Sequence, residues 1–299
     1  MKTILLVLLL IPMAKSSAMA LSQETEEAAP KKIEHKEEWP ELERKQATEV
    51  ERAVAKLRKA SSEVMEEEGR AILLDFGPAS APELLRALGK EKDEEARARI
   101  TSLLERVTGA EHTRLLQPYF EHKSPELRRW CLRRCAAFPD AGTQAAAQAA
   151  LKKALNPGKR KPVDAEEVYA TALAACAAGD LGAMQHTYAR AKQAWNLEGP
   201  ALLVALGALK GEAASEQLIE LLETPERKDQ LMALRFLSGA GLGQSCVDSI
   251  AVFLDEQDSE LLIAAINALR SIVENKQPLP RLSAFDAITK GKEWKAKLQ

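Results

Sequence analysis

Seven positions at a nearly constant spacing constrain this 299-residue chain more than any other feature. Leu73, Leu104, Cys135, Cys176, Leu206, Leu237 and Leu269 stand 31, 31, 41, 30, 31 and 32 residues apart. Four positions before each lie Gly69, Ile100, Cys131, Ala172, Leu202, Ala233 and Ala265, all small or apolar. A period of this size marks a repeated supersecondary unit, each copy of which can bury its apolar face only against its neighbours.

Within the period the apolar residues recur at helical spacing. Val50, Ala53, Val54 and Leu57 fall at i, i+3, i+4 and i+7, one stripe of an amphipathic helix. The stripe returns after 31 residues as Ala81, Leu84, Leu85 and Leu88, and again as His112, Leu115, Leu116 and Tyr119. A second helix per unit follows the same rule: Ala96, Arg97, Ile100, Leu104 and Val107 recur as Leu127, Arg128, Cys131, Cys135 and Phe138. Short polar turns join the two, and in them Asp93 and Ser124 are predicted N-caps, because their side-chain oxygens can accept from first-turn amides. The pattern predicts an all-α chain: an α-solenoid of about seven antiparallel helix pairs over residues 47–276.

The stretch Gly77-Pro78-Ala79-Ser80-Ala81-Pro82-Glu83-Leu84-Leu85-Arg86-Ala87-Leu88, followed by Asp93 and Arg97, resembles a HEAT repeat of the short bilin-lyase-like subtype. The resemblance covers roughly residues 48–275 and is sharpest around Arg97 and Arg128; in later units the arginine slot passes to Tyr169, Gly199, Gln230 and Leu262. It implies a right-handed, armadillo-type superhelix that binds other macromolecules, and it implies no catalytic residues.

The ends fall outside the period. Lys2, the apolar run Ile4–Leu10 and the small-x-small exit Ala18-Met19-Ala20 read as a signal peptide over residues 1–20, cleaved near Ala20. The chain is accordingly expected to be exported, periplasmic or extracellular, with no membrane span once the signal is removed. Residues 21–46 are rich in Glu and Lys and interrupted by Pro30 and Pro40, the composition of a flexible spacer, with one short helix near Trp39–Arg44. From Gln277 the period is lost, and residues 277–299, with Trp294, read as a capping segment over the last apolar face.

Charge divides the chain unevenly. The net formal charge is −2, which argues against a general nucleic-acid binder. Yet residues 114–161 hold eleven Lys or Arg and three acids, whereas residues 212–274 hold twelve acids and four bases. Such charge is ordinarily a solvated face; the alternative is electrostatic steering of an acidic partner onto the basic middle. Arg129 and Arg133, spaced i, i+4 opposite Leu127 and Cys131, are expected to face water. Lys159, Arg160 and Lys161 lie in an insertion of about ten residues that lengthens one period to 41, and insertions in a repeat map to loops on one face. Arg134 interrupts an otherwise apolar column of Ile72, Leu103, Ala175, Ala205, Phe236 and Ala268. A buried, unpaired guanidinium is costly, so Arg134 is expected either to be paired, with Asp140 or Glu126 as candidate partners, or to snorkel out past the helix. These six, Arg129, Arg133, Arg134, Lys159, Arg160 and Lys161, are the candidate binding residues.

No catalytic constellation is legible. Cys131, Cys135, Cys176 and Cys246 occupy core slots whose spacing suits neither a bridge nor a zinc site. The four histidines form no HExxH pair, and Gly239-Ala240-Gly241-Leu242-Gly243 follows a helix and lacks the phosphate-loop lysine. No cofactor or metal is implied. The sequence therefore points to a non-enzymatic scaffold or adaptor that binds a protein or peptide. A second reading is an anionic polymer, such as a polysaccharide, held by the basic middle. A third, a bilin-lyase-like enzyme subunit, rests on the family resemblance alone, and export argues against it.

Overall fold

Short polar side chains start many of the helices in this computed structural model, which describes residues 33–158, 162–279 and 281–299. All regular structure among the described residues is helical. Thirteen α-helices follow in order: α1 (Arg44–Arg58), α2 (Glu63–Phe76), α3 (Ala81–Leu88), α4 (Glu94–Val107), α5 (Pro125–Ala137), α6 (Gln144–Leu155) and α7 (Ala165–Ala177), then α8 (Tyr188–Gly207), α9 (Glu212–Leu222), α10 (Arg227–Ala240), α11 (Gln244–Ala251), α12 (Ser259–Glu274) and α13 (Ala284–Leu298). Both predicted N-caps are in place. The Asp93 carboxylate accepts from the Ala96 amide at 2.7 Å, and the Ser124 hydroxyl accepts from the Leu127 amide at 3.5 Å. Ser62, Asp164, Asp258 and Ser283 cap α2, α7, α12 and α13 in the same way.

The seven-residue column from Leu73 to Leu269 is buried throughout, as are the small residues four positions before it. Gly69 shows why size matters there: a Cβ would stand 3.1 Å from the Ala53 carbonyl oxygen and 3.2 Å from the Leu57 amide nitrogen, so α1 and α2 could not meet as closely. Each fully buried leucine in this column contributes about 1.5–3 kcal/mol relative to exposure. Packing passes along the chain between near neighbours: α5 lies on α7, α7 on α8, α8 on α10, α10 on α12 and α12 on α13. The free thiols of Cys131, Cys135, Cys176 and Cys246 are all buried.

Two local departures from the sequence pattern have clear causes. The stripe at His112–Tyr119 forms a 3₁₀ helix, Ala110–Tyr119, in place of an α-helix. Pro118 lacks the amide that an α-turn would use, and its ring would crowd the carbonyl four residues back. Within α8, Ala194 leaves the helical region (φ −138°, ψ 38°), so the helix is two pieces joined at a kink and Trp195 opens the second.

The signal-peptide expectation for residues 1–20 and the first part of the expected spacer lie outside the described residues. The rest of that spacer is bound to the helical body. The Lys36 amide donates to the Glu111 carbonyl at 2.8 Å, and Trp39 stacks on His112 with ring centroids 5.3 Å apart and planes within 7°. Residues 36–43 are non-helical, so the short helix expected near Trp39–Arg44 is absent and α1 starts at Arg44. At the other end Trp294 is buried on α13, which packs on α12. No helix among the described residues is long and apolar enough to cross a membrane.

Candidate functional site

Arg129 and Arg133 are half-buried and engaged by the protein's own carboxylates. Both project from α5 onto carboxylates of α7 and α8, forming a network that also takes in Arg128 and Arg190. Arg129 Nε donates to Glu167 at 3.2 Å, and its other end holds Asp164. Arg128 Nε donates to the second oxygen of Glu167 at 2.6 Å. Arg133 grips Glu198 with both terminal nitrogens, at 2.9 and 3.3 Å, and its guanidinium lies 5.3 Å from the centre of the Tyr169 ring. Arg190 reaches Glu198 at 3.2 Å and Glu166 at 3.1 Å. Four guanidinium groups thus meet four carboxylates. Asp164, Glu166, Glu167 and Glu198 lie beyond the basic block in sequence, and helix packing returns them to it. The expected basic docking face is largely neutralised from within.

Glu198 is the centre of this network, with 2% of its surface exposed. Burial alone would push its carboxyl up, but the hydrogen bonds from Arg133 and Arg190 together hold it below the ordinary glutamate range. The Tyr169 hydroxyl sits buried beside it, outside hydrogen-bond geometry, and burial pushes that phenol upward.

Arg134 takes neither expected partner. Asp140 is held by Arg114 at 2.8 and 3.1 Å, and Glu126 lies 3.6 Å from Arg97. Arg134 instead closes the end of α4. Its Nη2 donates to the Glu105 carbonyl at 2.6 Å and to that of Thr108, its Nε donates to the Thr108 hydroxyl at 3.1 Å, and its guanidinium covers the Phe138 ring at 4.6 Å. The last carbonyls of a helix have no partners of their own and carry its negative end, so a cation there is stabilising. Arg99 does the same for α1 through the Leu57 and Arg58 carbonyls, at 3.0 and 3.2 Å. The residue that interrupts the apolar column is therefore a helix cap. Lys159, Arg160 and Lys161 lie outside the described residues.

A broad groove lies elsewhere, over α8, α10 and α12. It encloses about 1280 Å³. Its apolar lining is supplied by Trp195, Leu203 and Val204 of α8 and by Ile263 of α12, with Leu282 from the return after α12. That return is pinned: the Leu279 amide donates to the Asn267 side chain at 2.8 Å, and Arg270 Nε donates to the Gln277 carbonyl at 2.9 Å. Close approach of α8 and α10 forms the floor. A Cβ on Gly239 would stand 2.9 Å from the Leu206 Cβ, so only glycine permits this spacing.

No protein-family model matches this chain, and no curated protein matches it either. The groove's chemistry must therefore be read from its own residues. Arg235 of α10 lines it with the guanidinium 5.0 Å from the centre of the Trp195 ring. Burial pulls this group downward, and among the described residues it has no hydrogen-bond or ion-pair partner. Lys210, Lys276 and Arg281 also line the groove, against one carboxylate, Glu260, which is bonded to Arg227 at 2.7 Å. Of these four cations only Arg235 belongs to the acidic stretch 212–274; Lys210, Lys276 and Arg281 come from its two borders. The signal available in the sequence was a second stripe on the later helices: Gly199, Leu203 and Gly207 on α8, Arg235 and Gly239 on α10, and Ile263, Asn267 and Ser271 on α12, each at a spacing of four.

The titrating groups set how stability changes with pH. Hydrogen bonds from Arg114 and Arg227 lower the carboxyls of Asp140 and Asp258, and Glu198 is lowered as described. Burial lowers His112, only partly offset by Glu111, while Lys36 and Arg134 act in the same direction as burial. In every case the folded value lies below the unfolded one. The stabilisation is then fully present above the unfolded value and is lost as pH falls through the folded value. The urea midpoint should be flat between about pH 7 and 8, fall above about 8.5 as unfolded thiols ionise while burial holds those of Cys131, Cys135 and Cys176 up, and fall gently below about 6.5 as unfolded His112 takes up a proton. It should fall steeply below about pH 4 as the carboxylates are protonated. His112→Asn should remove the gentle acid stage and leave the steep one.

Proposed function

We propose that this chain is an exported, non-enzymatic adaptor built as a HEAT-like α-solenoid, and that it binds an extended segment of a partner protein in the groove over α8, α10 and α12. Read in pairs, the helices and 3₁₀ turns from α1 to α12 make seven units, with α13 as a terminal cover. The buried seven-residue column and the packing of each element on its near neighbours support that reading. Export rests on the pattern of residues 1–20.

The single observation that carries the binding reading is the groove itself: about 1280 Å³, lined by apolar side chains together with a few polar and cationic ones. The anionic-polymer reading is weaker, because Arg129 and Arg133 are engaged by the protein's own carboxylates. Selection of a displayed random peptide library against the intact chain tests the proposal. Val204 is 45% exposed in the groove, so Val204→Glu should leave the fold intact while placing a charge on the apolar lining. Selected peptides should lose at least tenfold in affinity for that variant and bind Val252→Glu, a change at an exposed valine outside the groove, as they bind the parent. A selection that enriches nothing, or binders indifferent to Val204→Glu, would overturn the reading.

A further inference from the structure

The groove carries a more specific instruction about its occupant. Arg235 is the groove cation withdrawn furthest from water, set on the face of Trp195, with no carboxylate in ion-pair range among the described residues and only Glu260 acting on it from further off. A guanidinium in that state has lost part of its hydration and gained mainly a ring quadrupole in return. Its planar fork of donors matches a carboxylate. Glu260, the one carboxylate in the lining, accepts a hydrogen bond at 2.7 Å from Arg227 Nη2, a nitrogen that also donates to Asp258. The other cations of the groove, Lys210 and Arg281, add to the attraction for negative charge, while Lys276 is paired with Glu274 at 3.3 Å.

We propose that the occupant is an extended peptide segment with an acidic side chain, Asp or Glu, seated on the Arg235–Trp195 pair, flanked by apolar side chains that lie on Leu203, Val204 and Ile263. This deepens the groove reading and rests on it. The choice of a peptide follows from the juxtaposition of an apolar floor with one recessed cation. A polyanion would need many exposed cations in a row, and the arginine-rich helix α5 that could have supplied them is neutralised by α7 and α8. Specificity arises because a neutral residue at the acidic position would leave Arg235 covered and unpaired, which costs more than a missing apolar contact.

The same displayed library, selected in parallel on the parent chain and on Arg235→Gln, tests this. Against the parent, one internal position should be dominated by Asp or Glu. Against Arg235→Gln that position should lose its preference while the flanking apolar positions keep theirs, an outcome a merely structural role for Arg235 would not give. A synthetic peptide from the parent selection should bind the parent roughly tenfold to a hundredfold more tightly than its Glu→Gln counterpart, the ratio expected for one charge-assisted hydrogen-bonded pair. The two peptides should bind Arg235→Gln almost equally, and Arg235→Lys should restore part of the difference. Should Arg235→Gln unfold, the peptide pair on the parent chain still decides the matter.

Peptides that depend on Val204 but show no acidic preference, or that bind Arg235→Gln undiminished, overturn the carboxylate assignment and leave the groove reading standing. Preference for a free C-terminus, abolished by amidation and without an internal acidic position, also overturns it, in favour of terminal-carboxylate capture. A selection with no groove-dependent binder overturns both. So does a self-association in sedimentation that Val204→Glu abolishes, since a second copy would then be the occupant.

Discussion

Glu198→Ala is expected to lower the unfolding free energy by about 2–3 kcal/mol, a large effect for a charged residue. The carboxylate is almost completely buried and is the shared acceptor of Arg133 and Arg190. Removing one member of a fully buried ion network typically costs about 3–5 kcal/mol, because the remaining charge is left without compensation. Arg133 and Arg190 are 38% and 30% exposed, so water can reach them and moderate the loss. Glu198→Gln should cost less, since the amide keeps the shape and one acceptor. Removing the arginines as well, in Arg133→Met/Arg190→Met/Glu198→Leu, should recover much of the stability, as apolar groups of similar volume need no counter-charge. Urea unfolding of this series gives the answer directly. If Glu198→Ala is neutral, the network is a surface feature, and the basic middle regains its claim as a docking face.

How far the sequence could be read divides along one physical line. Features set within a single helix or repeated by the period were legible: the buried column from Leu73 to Leu269, the caps Asp93 and Ser124, and the buried stripe of α1. Features that join one unit to another were not. Arg133 and Glu198 are 65 residues apart, so the block of eleven bases appeared as a charged surface when its counter-charges simply followed it in the chain. Arg134 was visible as the residue that departs from its column, but its partners are backbone carbonyls of the preceding unit, and no side-chain pattern reveals those. The groove was missed for a related reason. Its wall depends on residues 275–279 and 281–283, which the repeat does not specify, and on the kink at Ala194 beside Trp195.

Phe236→Ala should lower the unfolding free energy by about 3–5 kcal/mol, through the cavity left by a fully buried ring. Phe236 meets Tyr188 edge-on at 5.5 Å and lies against Trp195 at 6.3 Å, so it supports the ring on which Arg235 rests. Phe236→Leu keeps most of the volume and should cost under about 1.5 kcal/mol if the site repacks. Binding should follow the same order, because Trp195 loses its backing in the alanine variant even where the protein remains folded. Where the loss is felt is as informative as its size. In an array whose units touch only their neighbours, destabilisation at α10 should raise amide exchange in α8, α10 and α12 and leave α1–α4 nearly unchanged. Exchange rising equally in all helices would mean that the chain unfolds as one closed core. The α-solenoid reading would then fail at its foundation, because repeat-by-repeat burial is the physical meaning of the 31-residue period.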